Sequence, residues 1–160
     1  MNKLDLAQTL GVLANFGVLV GILLLAYELN QNREMMQAQT RHDIASEFVG
    51  LMISVAGDEQ LASLVRRGDS GEELSPDEEY RYERYTRGMF RYWENVHYQY
   101  RLGLYDELEF VKQRTAWQAY LARSKGAVVR WCAARDQFSP EYRRELDQLL
   151  IPSSCGAGDP

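Results

Sequence analysis

Residues Leu10 to Tyr27 form an apolar run in which Asn15 is the one strongly polar side chain. An α-helix rises about 1.5 Å per residue, so the run covers roughly 27 Å, close to the hydrocarbon thickness of a bilayer. Everything that follows is polar, charged and amphipathic. The pattern predicts an N-terminal segment with a transmembrane helix over residues 1–29 and a water-soluble domain over residues 30–151.

Two other interpretations of the apolar run fit less well. A cleaved signal peptide needs a basic start and a small-x-small cleavage site, but Lys3 is offset by Asp5 and Ala26 leads into Tyr27 and Glu28. A buried helix of a soluble protein usually alternates apolar with polar residues, and this run does not. We therefore expect an uncleaved span.

A second apolar pattern predicts that the membrane helix continues beyond the span. The apolar positions recur at helical spacing and are Ile44, Phe48, Leu51, Met52 and Val55. No proline occurs before Leu74, so one rod to about Ala56 is expected, although the polar stretch at residues 30–32 leaves a hinge open.

The remainder of the chain shows helix start and stop signals and no strand pattern. Ser75-Pro76-Asp77-Glu78 combines a serine cap, a proline at the first helical position and a capping-box glutamate. We expect helices at 58–67 (stopping at Gly68), 75–102, 106–124, 127–137 and 139–151. The predicted fold is all-α: one transmembrane helix continuous with a long juxtamembrane helix, then a small helical bundle, then a disordered tail at 152–160.

Charge and cysteine content exclude some classes of protein. The net charge of −5 argues against nucleic-acid binding through general electrostatics. Cys132 lies in an apolar helical stretch, which is typical of a small core residue, and Cys155 lies in the tail. No C-x-x-C pair is present, and the two cysteines do not suggest a disulfide framework.

Small residues in the span suggest self-association. Ala14, Gly17 and Gly21 fall on one helical face, and the two glycines form a G-x-x-x-G motif. Such residues let two helix backbones approach closely in lipid, where packing drives association. We expect a homo-oligomer in the bilayer that uses this face together with the stripe of Ile44, Phe48, Leu51 and Val55.

One polar motif resembles a metal-ligand spacing. Glu94 and His97 form an E-x-x-H, and Asn95 and Tyr98 lie beside them. Di-iron bundles use two such motifs and two further glutamates, whereas this chain has one, so no metal or cofactor is expected. A Glu94 that holds an arginine or a helix end is the preferred interpretation, and a membrane-tethered enzyme or ligand sensor at these residues is the alternative.

Four arginines form a possible acidic-partner stripe on the same predicted helix. Arg81, Arg84, Arg87 and Arg91 are spaced by three, three and four residues. Attraction to an anionic surface is worth about 1 kcal/mol per basic residue, so the stripe suggests an anionic-lipid binder. Acids are interleaved with these arginines, and pairing within the bundle is the favoured interpretation.

Three segments resemble a family of small, uncharacterised bacterial membrane proteins. Their span runs into a YE(I/L)-x-QN boundary, which is similar to residues 27–32 here. The segments 93–104 and 138–142 look similar as well, in the same order. The resemblance implies a bacterial inner-membrane protein and brings no assigned activity, cofactor or catalytic residue.

Together these features predict a single-pass, membrane-anchored scaffold or interaction module that self-associates, with a further protein partner left open. Arg33 and Arg41 follow the span, while Lys3 precedes it. Basic residues near the ends of a span favour the cytoplasm, so the helical domain is expected on the cytoplasmic side.

Overall fold

The computed structural model describes residues 3–150 and Cys155, and these residues are helical without a strand. Six α-helices and one short 3-10 helix follow one another along the described chain. Their bounds are α1 (Lys3–Gly57), α2 (Glu59–Ser70), α3 (Pro76–Arg101), α4 (Glu107–Arg123), α5 (Lys125–Ala134), the 3-10 helix (Arg135–Gln137) and α6 (Pro140–Asp147). The predicted all-α fold with one long apolar N-terminal helix and a small bundle is confirmed.

Helix α1 continues without a break through residues 30–32, where the sequence allowed a hinge as an alternative. Asn30 donates to Glu34 at 2.8 Å and Gln31 donates to the Tyr27 hydroxyl at 2.8 Å, both one turn apart. These side-chain pairs support the helix where its residues are weak helix formers. The helix is long and apolar enough to cross a membrane, and none of the side chains in its most apolar stretch is buried within the chain.

The chain divides into two compact units, Met1–Gln39 and Thr40–Pro160. The division lies within α1 and further along the chain than the expected boundary between residues 29 and 30. The predicted tail at 152–160 lies outside the described residues, apart from Cys155.

Side-chain caps mark the starts of α2, α3 and α4 in the second unit. Asp58 accepts from the Leu61 amide at 3.0 Å, and the Glu78 carboxylate reaches back to the Ser75 amide at 3.0 Å. Asp106 accepts from two amides of α4 at 2.9 and 3.2 Å. Each bond satisfies amides that have no partner inside the helix, so these starts are encoded locally.

Helix α3 lies at the centre of the bundle, since it packs against α2, α4, α5 and α6. The core is aromatic. Its largest fully buried side chains are Tyr82, Phe90, Trp117, Trp131 and Tyr142. Several of their rings lie in edge-on or tilted pairs, for example Phe90 and Trp131 at 5.2 Å between centroids, which is a favourable geometry for aromatic contacts.

Two glycines let α2 and α5 approach at backbone distance. A Cβ on Gly126 would lie 1.9 Å from the carbonyl oxygen of Gly68, and a Cβ on Gly68 would lie 2.5 Å from the ring of Tyr82.

The expectation that α2 stops at Gly68 is wrong. The helix continues to Ser70 and ends at Gly71, whose positive φ of 81° is a conformation that favours glycine.

The sequence did not suggest a disulfide framework, but the structure contains one disulfide. Cys132 on α5 and Cys155 are joined, with their Cα atoms 5.2 Å apart. Their separation of 23 residues matches no local motif, so the pairing depends on the packing of Cys155 against the core of the bundle.

The glycine contact predicts opposite effects for two Gly→Ala substitutions. Gly126→Ala is expected to lower the free energy of unfolding by about 3 kcal/mol, because backbone atoms must move apart to accommodate the methyl group. Gly88→Ala is the control, since a Cβ there meets nothing within 4 Å. It should stabilise α3 by roughly 0.5–1 kcal/mol.

Urea unfolding of the full chain in detergent, followed by tryptophan fluorescence, measures both effects. All three tryptophans lie in the buried core, so the signal reports the bundle. Equal stability of Gly126→Ala and the wild type would contradict the tight crossing of α2 and α5.

Candidate functional site

The small-residue face of α1 is exposed in the first unit. Ala14, Gly17 and Gly21 are all exposed, and a Cβ on either glycine would meet no described atom within 4 Å. Large apolar neighbours are exposed as well, with Leu13 at 61% and Leu24 at 58%. Within the described chain, this face packs against nothing.

The juxtamembrane stripe, by contrast, packs partly on the chain's own bundle. Ile44 is 3% exposed, and its carbonyl accepts from the Tyr92 hydroxyl at 3.3 Å. The ring of Phe48 stacks on Tyr92 at 6.2 Å, while Leu51 packs against the core and Val55 is half-buried. Ile44 is thus unavailable to a partner in this conformation, whereas Phe48 retains an exposed edge.

Glu94 joins α3 to the start of α6. Its carboxylate accepts from the backbone amide of Ser139, the N-cap residue of α6, at 2.7 Å and from Arg91 at 2.6 Å. Burial alone would raise the pKa of Glu94, but the hydrogen bonds from Ser139 and Arg91 outweigh it and leave the pKa below its ordinary value. Glu94 therefore holds both an arginine and a helix end.

His97 is buried against aromatic rings of the core. Its ring lies 5.9 Å from both Phe110 and Tyr142, and burial lowers the pKa of His97. Asn95 accepts from Gln99 at 3.3 Å, and Tyr98 is exposed. No group of three or more potential metal ligands occurs among the described residues.

Two of the four stripe arginines are neutralised within the bundle. Arg87 pairs with Glu83 at 2.6 Å, and Arg91 pairs with Glu94 at 2.6 Å. Arg84 lies over the ring of Tyr80 at 4.9 Å, and Arg81 is exposed. Neither Arg81 nor Arg84 forms an ion pair with a described residue.

A carboxylate that the sequence analysis did not single out lies between four helices. One oxygen of Asp69 on α2 accepts hydrogen bonds from the hydroxyls of Tyr82 at 2.7 Å, Tyr120 at 2.6 Å and Ser124 at 2.7 Å. Burial first, and then Asp69, raises the pKa of both tyrosines, so their hydroxyls stay protonated and donate at neutral pH.

This Asp69 cluster is built to hold helices together. Three donors satisfy a partly buried carboxylate, which would otherwise be costly to remove from water. The raised pKa values of the tyrosines also mean that the cluster provides no phenolate nucleophile. Sequence reasoning missed it because Asp69 lies in Gly68-Asp69-Ser70-Gly71, which has the composition of a loop.

No protein-family model, curated protein or solved structure matches this chain. The resemblance to small bacterial membrane proteins therefore stays a prediction.

The role of Glu94 predicts a pH-dependent stability effect. Glu94→Gln is expected to lower the free energy of unfolding by about 1 kcal/mol at pH 7, because charge-assisted hydrogen bonds become neutral ones. Because the pKa of Glu94 is lowered in the folded state, its charged form stabilises the fold above the unfolded-state pKa. This stabilisation is lost as the pH falls through the folded-state pKa. The variant and the wild type should therefore converge in acid.

Urea titrations from pH 7 to pH 3 test this expectation. Glu73→Gln, at an exposed loop position, is the matched control and should follow the wild type throughout. A constant difference between Glu94→Gln and the wild type at all pH values would count against a charged Glu94 at the start of α6.

Proposed function

We propose that this protein is a membrane-anchored helical interaction module that self-associates through its N-terminal span. The observation that carries the proposal is the exposed small-residue face of α1, where Gly17 and Gly21 have open space beside them. An apolar helix whose most apolar stretch has no buried side chain needs lipid or another helix around that stretch. A glycine face favours another helix, because backbones then make van der Waals contact.

The second unit supports an interaction role more than a catalytic one. Glu94 and His97, the residues of the enzyme alternative, both contribute to packing of the bundle. Exposed apolar side chains continue along the last part of α1, where Val49 is 51% and Ile53 is 65% exposed. Such positions favour contact with a second copy or an unidentified protein partner.

The proposed location is a bacterial inner membrane, crossed once. It rests on the long apolar α1 and on the resemblance of residues 27–32 to the boundary of a bacterial family. We place the helical domain in the cytoplasm because Arg33 and Arg41 follow the span. The Cys132–Cys155 disulfide favours the opposite side, since the cytosol keeps thiols reduced.

Self-association predicts a loss of oligomer when the glycine face is filled. Gly17→Leu and Gly21→Leu are expected to shift the detergent-solubilised protein to a monomer, since each adds a side chain where two backbones would touch. Ala26→Leu is the matched control, because it enlarges a small residue on roughly the opposite face of the helix.

Light scattering coupled to size exclusion gives the protein mass in each micelle. A wild-type monomer at micromolar concentration, or an oligomer that both glycine variants leave intact, would contradict self-association through the span.

The cytoplasmic orientation predicts the redox state of the cysteines in living cells. Acid-quenched cells labelled with a polyethylene glycol maleimide should give two adducts per chain without added reductant, because the reducing cytosol would open the Cys132–Cys155 disulfide of the structure. Cys132→Ser leaves one cysteine and fixes the position of the single-adduct band. Labelling of the wild type that requires a reductant would place the domain in an oxidising compartment instead.

A further inference from the structure

A cleft of about 190 Å³ opens on the second unit between the last part of α1, α3 and α4. Phe48 and Leu51 contribute from α1, Met89 and Trp93 from α3, and Trp117 from α4. Trp93 and Trp117 stack with centroids 5.2 Å apart and planes at 15°. The cleft therefore has a rigid, apolar wall.

The size of the cleft suits a single apolar chain. An apolar protein cavity of roughly 150 Å³ takes up a molecule of the size of benzene. The present cleft is slightly larger and opens to solvent, so it can bury several methylene groups while the rest of a ligand extends outward. Met52 and Met89 also line the cleft, and methionine side chains adapt to flexible apolar ligands.

The charge at the cleft is opposite to that of the whole protein. The chain carries a net charge of −5, yet no described residue that lines the cleft is acidic. Arg123, in the last turn of α4, is the one charged side chain among those residues. It is exposed and forms no ion pair with a described residue. An arginine so placed can bind a carboxylate with two parallel hydrogen bonds.

We propose that this cleft binds a free single-chain carboxylate amphiphile, that is, a medium-chain fatty acid. Its alkyl chain lies against Leu51, Met89 and Trp93, and its carboxylate meets Arg123. This assigns the bundle a ligand site that does not depend on self-association through the span.

Tryptophan quenching by a brominated ligand tests the assignment directly. The full chain, in nanodiscs of neutral phosphatidylcholine, is titrated with 12-bromododecanoic acid and, in parallel, with 12-bromododecanol. Bromine quenches tryptophan on contact, and the cleft wall contains two of the three tryptophans of the chain. We expect saturable quenching by the acid and at least tenfold weaker quenching by the alcohol.

Four variants distinguish binding of the ligand in the cleft from its partition into the lipid of the nanodisc. Arg123→Gln should weaken the acid about tenfold and leave the alcohol unchanged, because a charge-assisted contact is lost. Arg66→Gln, an exposed arginine away from the cleft, should bind as the wild type does. Ala116→Leu fills the cleft and should abolish saturable quenching. Ala119→Leu enlarges an exposed alanine of the same helix that does not line the cleft, and it should bind as the wild type does.

Several results would overturn the proposal. Equal quenching by acid and alcohol, or wild-type binding in Arg123→Gln, would remove the role of the arginine. Quenching by brominated phosphatidylcholine in the disc that free acid does not displace would assign the cleft to bilayer lipid. A fall in oligomer mass in Ala116→Leu would assign it to a second copy. If Ala116→Leu fails to fold by circular dichroism, the comparison of acid and alcohol in the surface variant Arg123→Gln decides.

Discussion

The approach of α2 and α5 at Gly68 and Gly126 is the constraint on which the bundle depends. A Cβ on Gly126 would lie 1.9 Å from the Gly68 carbonyl oxygen, so no larger residue fits there without moving a helix. A Cβ on Gly68 would lie 2.5 Å from the Tyr82 ring, which would have to move. This approach brings Ser124, just before α5, within 2.7 Å of Asp69. The shared hydroxyl contacts of Asp69 then fix α3 and α4 as well, through Tyr82 and Tyr120.

Local signals in the sequence predict the elements well. The caps at Ser75 and Asp106 need a few neighbouring residues to form, and the continuous α1 needs only the absence of a breaker. The end of α2 was misjudged because Gly68 has two possible roles. A glycine is both a stop signal and a residue that permits close packing. At Gly68 the second role applies, because a Cβ there would lie 2.5 Å from the ring of Tyr82 on another helix.

The candidate site, too, could be predicted from the sequence only where the contacts are local. An E-x-x-H spacing places Glu94 and His97 near one another along a helix, but it does not say what each side chain meets. Glu94 meets the start of α6, and His97 meets aromatic rings of the core. Interleaved charges likewise predicted the short-range pair of Arg87 and Glu83. The three hydroxyls on Asp69 come from residues 13, 51 and 55 positions away, and no local pattern contains them.

The disulfide has a topological consequence for the end of the chain. When it is formed, Cys132 and Cys155 close a covalent ring that includes part of α5, the 3-10 helix and α6. Peptide-bond cleavage anywhere inside that ring opens it but releases no fragment, so a nicked molecule remains one covalent species until it is reduced. In this region, a cleaved backbone therefore does not by itself divide the protein into two molecules.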